Sequence, residues 1–351
     1  MSVADPARVS CPAPPAAGDA VLLGHGSGGR LSAELLREVV LPAFGSAEAV
    51  AEDGAVLAVG GAELVLSTDA FVVDPLFFPG GDIGTLAVHG TVNDLAMMGA
   101  APAALALAFV IEEGFPIEDL RRICAAAGAA AAAADVRVVT GDTKVVGRGA
   151  ADGLFVTTTG IGQRRPGVTV SAAAARPGDA VLLSGPIGAH GITVLGARAA
   201  LGFESEIASD TRPLHRLVAA MLDAAGPALH AMRDPTRGGL ASALNEIAGA
   251  SRVGIEIDEG AVPVVPSVAA ACDLLGLDPL HVASEGCLVA LAAAETAEPL
   301  VAAMRSTGEG QGAVRLGRVV AEHPGRVVMR TLTGGRRIVD MLVGEQLPRI
   351  C

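Results

Sequence analysis

A chain of 351 residues that is 51% hydrophobic, yet holds no Trp, no Tyr and only eight Phe, has to build its interior from Ala, Val, Leu and Ile. With 45 Gly distributed through it, such a chain reads as a loop-rich α/β protein and not as a disordered one. The length accommodates two ordinary domains. Apolar patterning divides it accordingly: a Pro/Ala-rich leader over 1–18, expected to be disordered, a first domain over 19–165, a second over 166–332, and a polar tail over 333–351.

Within the first domain, "GHGSGG" feeds an amphipathic helix ending near Pro42, and "AVLAVGGAELVLSTDAFVVDP" reads as a hairpin of two β-branched runs around Gly-Gly. A buried helix ("IGTLAVHGTVNDLAMMGA"), a strand ("PAALALAFVIEEG"), an Ala-rich helix over 117–134 and the strands "VRVVTGDTKVV" and "GLFVTTTGIGQ" follow. A linker at "RRPGVTVSAAAARPGD" precedes a new strand–loop–helix series from "AVLLSGPIGAHGITVL".

The net charge of -13 opposes nucleic-acid binding, which calls for a basic face. It leaves phosphate ligands open, because metal ions and backbone N–H groups bind phosphate within acidic proteins. Five widely spaced cysteines (Cys11, Cys124, Cys272, Cys287, Cys351) form neither a disulfide framework nor a zinc site. No signal peptide or membrane span is legible, so a cytoplasmic location is the expectation.

Three acids, Asp69 in "LVLSTDAF", Asp94 in "TVNDLAMMG" and Asp142 in "RVVTGDTK", are read as lying where strands give way to loops, facing a ligand crevice. Grouped carboxylates suit Mg²⁺ bridging to nucleotide phosphates; the alternative is that each Asp caps its own turn. Lys144, two residues after Asp142, is placed to reach the same phosphates. Glu285 in "VASEGC" precedes an apolar strand; buried there it would be a general base of raised pKa, and exposed it would be a solvated loop residue. His25, His89 and His190 lack metal-ligand spacing and are assigned to packing or loop hydrogen bonds. None of the glycine loops is a Walker A motif.

Together, "HGSGG", "STDAFVVDPLFFPGGDIG", "GTVNDLAMMGA", "VTGDTKVVGRG", "RDPTRGGL" and the terminal "LPRIC" resemble the HypE family of hydrogenase maturation proteins, carbamoyl dehydratases of the superfamily that includes aminoimidazole ribonucleotide synthetase and selenophosphate synthetase. The match runs from about Leu22 to Cys351. It implies an α/β, α+β two-domain fold: an N-terminal mixed sheet with helices that joins a second copy in a dimer barrel, a C-terminal α+β domain, and a flexible tail. It implies ATP and Mg²⁺ held by Asp69, Asp94 and Asp142, with Asn93, Thr143 and Asp234 adding to the nucleotide site and Gly26, Gly28 and Gly29 in a flap over the phosphates. Cys351 would carry a thiocarboxamide loaded by a carbamoyltransferase. Lys144 would steady the transferring charge and Glu285 take the amide proton, giving a thiocyanate whose cyanide passes to an iron-carrying scaffold.

Two features depart from the family pattern, the leader and "SEG" at 284–286 in place of "NEG". A selenophosphate synthetase is the nearer rival, requiring a reactive Cys with a nearby Lys that Cys11 lacks. A non-catalytic nucleotide-binding scaffold is the other. The tail is expected to hold few buried apolar contacts, with Leu342, Val343, Leu347 and Ile350 docking weakly. Its cysteine is expected to have a raised pKa beside its own carboxylate.

Overall fold

The computed structural model describes residues 21–26, 28–44, 52–199, 207–344, 347 and 349–351; the leader and Cys11 lie outside them. The first domain is organised around one buried helix. Asp82 accepts the Thr85 N–H at 2.8 Å and so starts the helix at Ile83. With Gly84, Ala87, Gly90 and Ala96 among its small residues, the helix is buried on nearly all sides.

In chain order the first domain has helices α1 (Arg30–Leu35), α2 (Leu41–Ala43), α3 (Ile83–Met97) and α4 (Ile117–Ala133). Its strands are β1 (Ala55–Val59), β2 (Ala62–Phe71), the short β3 (Phe77–Phe78) and β4 (Gly81–Asp82), then β5 (Ala100–Glu112), β6 (Arg137–Val146) and β7 (Leu154–Arg164). The hairpin β1–β2 turns on Gly60 and Gly61, both at positive φ, as such a tight turn demands. The order β1-β2-β7-β5-β6 puts β7 at the centre and leaves β1 and β6 as edges. Helix α4 is the crossover between the parallel strands β5 and β6. Both edges are exposed along almost their whole length, Val59 by 54% and Val139 by 56%.

The second domain contains β8 (Ala180–Leu183), α5 (Ala189–Arg198), α6 (His215–Ala225), β9 (Leu229–Arg233), α7 (Gly239–Ser251), β10 (Gly254–Asp258), α8 (Pro266–Leu275), β11 (Val289–Ala292), α9 (Ala297–Arg305), β12 (Val314–Val320), β13 (Arg326–Arg330) and β14 (Arg336–Val339). Its strands run in the order β14-β13-β10-β12-β8-β11-β9. The core on one face of this sheet takes in α7, and that on the other α6 and α9. The predicted linker is packed, with Val168, Val170 and Ala172 buried.

The tail departs from its expectation in two ways, a strand at its start and a buried Ile350 at its end. Its first part is strand β14, paired antiparallel to β13, because "RRIV" folds back over the "TGG" turn. Its end is inserted between the domains. The Val72 N–H donates to the Cys351 carbonyl at 2.9 Å and the Asp74 N–H to the Arg349 carbonyl at 3.2 Å. Ile350 is buried in the first domain's core, where Leu347 and Cys351 pack against it, while Val343 stays 56% exposed. Backbone bonds and the burial of Ile350 together dock the tail.

Candidate active site

Strand β9 ends at Arg233, and the next residue, Asp234, points from the carboxyl end of that strand into a cleft of about 470 Å³ between the domains. Asp94 enters from α3 and Asp53 from the approach to β1. The three carboxylates offer oxygens that all lie within 4.8 Å of one another. Arg233 bonds Asp53 and Glu246 at once, fixing one side of the cluster. The Ser67 hydroxyl donates to Asp94 at 2.7 Å.

Gathering these carboxylates away from water disfavours their charge. Burial first, then Asp234 and Asp69 beside it, raise Asp94 well above the usual carboxylate range. Burial pushes Asp53 up to about 8 and Asp234 up to about 6, each partly relieved by Arg233. Asp53 Oδ2 is buried without a hydrogen-bond partner. An all-oxygen donor set of this kind, repelling itself and with an orphaned oxygen, fits a hard divalent cation such as Mg²⁺.

Of the expected metal set only Asp94 is in the cluster; Asp69 lies beside it on β2, Asp142 is not part of it within one chain, and Asp53 and Asp234 complete it. None of the three expected acids sits at a strand-to-loop boundary. Asp69 and Asp142 lie inside strands and Asp94 inside a helix. Within one chain, Asp142, Thr143 and Lys144 stand apart on the edge strand β6. There Lys144 pairs with Asp142 at 2.5 Å, both side chains more than 60% exposed, and that bond holds Asp142 below its usual range. Lys144 is the one lysine among 25 basic side chains. Asn93 is also corrected: it is a joint, accepting the Leu214 N–H at 2.7 Å and donating to the Arg212 carbonyl at 3.1 Å. Its amide also donates to the Glu285 carbonyl at 3.4 Å, and Asn93 is not among the residues that line the cleft.

Glu285 lies in the cleft and is buried, so the solvated-loop alternative is overturned. Burial, then Asp234 and Asp210, raise its pKa well above the usual value, and its Oε1 has no partner. Gly28 and Gly29 line the same cleft. Gly28 has φ +75 and a Cβ there would meet Arg237 Cβ at 2.5 Å, so a glycine is required for the loop to lie on Arg237. Arg237 in turn donates to the Gly26 carbonyl at 3.0 Å.

Cys351 stands where the acidic cleft meets a second, smaller cavity lined in part by the tail; Gly29 and Arg237 line both. The Cys351 thiol is pushed up to about 12, as expected in direction, but burial is the main cause, opposed by Arg237 and reinforced by Glu285 and Asp69. The sequence reading missed Asp53, Arg233 and Arg237. The two arginines flank Asp234 in "RDPTRGG", and that spacing was the available signal.

Two halves of the chain match known domains: residues 51–163 the AIR synthase related protein, N-terminal domain, and residues 176–330 its C-terminal domain. Fold and cleft thus define an AIR synthase related protein. The chain is 54% identical over 331 residues, 94% of each, to "Carbamoyl dehydratase HypE" of Cupriavidus necator. It is 42% identical to that of Escherichia coli, over 94% of this chain and 99% of the other. A HypE crystal structure in complex with ATP is 48% identical, covers 95% of this chain and 100% of its own, and has a TM-score of 0.80. One of a HypE–HypF complex is 46% identical, covers 88% and 99%, and has a TM-score of 0.83. The chain belongs to the HypE family of carbamoyl dehydratases.

Proposed function

We propose that the protein is an ATP-dependent carbamoyl dehydratase acting in the cytoplasm: it converts a thiocarboxamide on Cys351 into a thiocyanate, the source of cyanide for the iron of [NiFe] hydrogenase. The observation that carries this reading is the position of Cys351, a terminal thiol drawn into a cleft with three clustered carboxylates and a buried glutamate. The related HypE solved with ATP supports the nucleotide, and the HypE–HypF complex supports a carbamoyltransferase that loads the tail.

Asp53, Asp94 and Asp234 would hold Mg²⁺, which when bound neutralises phosphate oxygens. Gly26, Gly28 and Gly29 would lie over the phosphates with their N–H groups. The carbamoyl oxygen takes the γ-phosphoryl group and leaves as phosphate, a far better leaving group than oxide. Both amide protons depart from nitrogen, giving S–C≡N and ADP. Glu285, with its raised pKa, is basic enough when ionised to take one of them. Arg237 holds the sulfur end of the carrier in place.

Asp142, Thr143 and Lys144 act, in this reading, from a second copy. Open edges at β1 and β6 pair the N-terminal sheets of a homodimer and bring Lys144 to its partner's cleft. Residues from about Asp340 onward swing out to be loaded, return for dehydration, and leave again for the iron-carrying scaffold; a dozen extended residues reach roughly 40 Å. Mass spectrometry tests the whole scheme. Carbamoylated protein given ATP and Mg²⁺ should lose the mass of one water from the Cys351 peptide, and a chain extended past Cys351 should not. Normal conversion by the extended chain would sink the carrier assignment.

A further inference from the structure

His190 has no part in the chemistry above, yet both its ring nitrogens are engaged and its side chain is fully buried. It enters at the start of α5, just after Gly188, and packs edge-on against Phe78 with ring centroids 5.4 Å apart. Its Nε2 lies 2.7 Å from the Ile350 carbonyl, one residue before the carrier cysteine. Its Nδ1 lies 2.8 Å from Ser209 Oγ.

The network assigns the protons. A carbonyl only accepts, so Nε2 bears the hydrogen and Nδ1 of the neutral ring accepts from the Ser209 hydroxyl. Ser209 Oγ in turn accepts the Thr211 N–H at 3.2 Å. Between Ser209 and Thr211 sits Asp210, whose two carboxylate oxygens accept the N–H of Glu285 at 3.2 Å and of Gly286 at 3.0 Å. One short loop is therefore bonded to the tail through His190 and to the base-bearing loop through Asp210.

We propose that His190 is a positioning residue: it latches the inserted tail by the Ile350 carbonyl and, through Ser209 and Asp210, sets Glu285 only when the tail is home. If the tail leaves, a buried imidazole N–H loses its acceptor, an arrangement proteins avoid. The ring or the Ser209–Thr211 loop then re-seats, and Asp210 releases the backbone that aims Glu285. The base is thus in register when Cys351 is present and out of register when it is away. Protein whose tail is away would not expose a set base to bound nucleotide and water. The inference rests on reading Cys351 as the carrier, but half of its test does not.

Two substitutions separate the two bonds. His190→Gln keeps a donor at the Nε2 position for the tail, and His190→Asn keeps only an acceptor near Nδ1 for Ser209. The first readout is the iodoacetamide alkylation rate of Cys351, peptide-mapped to separate it from the other cysteines. His190→Asn should raise it roughly tenfold, the loss of one buried hydrogen bond, with His190→Gln close to wild type. The second is dehydration of carbamoylated protein, where Asp210→Asn should lower kcat by roughly tenfold with the KM for ATP and the Cys351 alkylation rate unchanged. Thermal melts confirm that each variant is folded. Equal alkylation of His190→Asn and wild type would overturn the latch. So would a Gln variant indistinguishable from the Asn variant, because packing alone would then explain both. If Asp210→Asn changes the KM for ATP and not kcat, the link to Glu285 is wrong even where the latch stands. Wild-type protein that never dehydrates its carbamoyl group would instead sink the functional reading, leaving the alkylation result intact.

Discussion

Two acidic motifs that look alike in sequence, "VNDLAM" around Asp94 and "TGDTKV" around Asp142, meet opposite fates in the fold. Asp94 sits in a helix buried on nearly all sides, and its carboxyl is raised by burial and by neighbouring acids. Asp142 sits on an exposed edge strand, and its carboxyl is lowered by the ammonium beside it. The first is a self-repelling carboxylate cluster of the kind that a bound cation relieves. The second is a solvated pair, worth little where it stands, and it acquires a use only if something covers it. Chemistry at one and assembly at the other is the division of labour this contrast implies.

The largest effect expected of any change tests the first half. Asp94→Asn keeps the shape of the side chain and its hydrogen bond to Ser67 but removes a ligand charge. Nucleotide turnover dependent on Mg²⁺ should fall by about 10³-fold, the scale of losing a central electrostatic group. Thermal stability without metal should rise, because one of several mutually repelling carboxylates is gone. Wild-type turnover, or a lower melting temperature without metal, would reduce Asp94 to a packing residue.

The second half is tested by mixing. Glu285→Gln and Lys144→Ala should each still accept a carbamoyl group, since neither touches the sulfur, and each should stall before the thiocyanate. If Lys144 serves the cleft of a second copy, a re-equilibrated one-to-one mixture should regain about a quarter of wild-type activity: half the dimers are mixed, and one of their two sites is whole. A mixture as inactive as its components would place Lys144 in its own chain's site or nowhere. Light scattering that finds a monomer at micromolar concentration would remove the comparison's second half altogether.

What could be read in the sequence follows the same divide. The aliphatic strands, the buried helix α3 and the Ala-rich crossover α4 are local patterns, and their bounds lie close to expectation. Glu285 and Cys351 were legible from motif and position. Asp53 was not, because "AEDG" is indistinguishable from any acidic turn until Arg233, 180 positions away, folds against it. Nor does a period-2 pattern tell an edge strand from an inner one, and so Asp142 on the edge strand β6 was grouped with Asp69 on the inner strand β2. His190 was left between packing and loop hydrogen bonding for a like reason: its partner carbonyl belongs to the far end of the chain. The tail was read as loosely held because a carrier has to move, whereas its backbone bonds to Val72 and Asp74 are invisible in the sequence.

The smallest effect concerns a second titratable group on α3. His89 is 7% exposed, with Nδ1 lying 3.1 Å from Thr211 Oγ1. Burial first, and then His215, push its pKa down to about 4. The unfolded value is about 6.5. Above pH 6.5 the ring is neutral in both states and costs nothing. Between about 6.5 and 4 the unfolded chain binds a proton that the folded chain refuses, so this contribution to stability is lost as pH falls. At pH 5 the loss amounts to about 2 kcal/mol, or a few degrees in Tm. Asp53, at about 8, and Asp234, at about 6, run the other way, because carboxyls of raised pKa favour the folded state as pH falls. In the wild-type melting curve the two trends partly cancel, and only a difference isolates the histidine. His89→Asn retains a polar atom for Thr211 and cannot titrate. Its Tm relative to wild type should be flat above pH 6.5 and climb steadily below it, towards pH 4.5. Parallel Tm–pH curves for the two proteins would mean that His89 titrates normally, and that burial on α3 shifts carboxyls only where they repel one another.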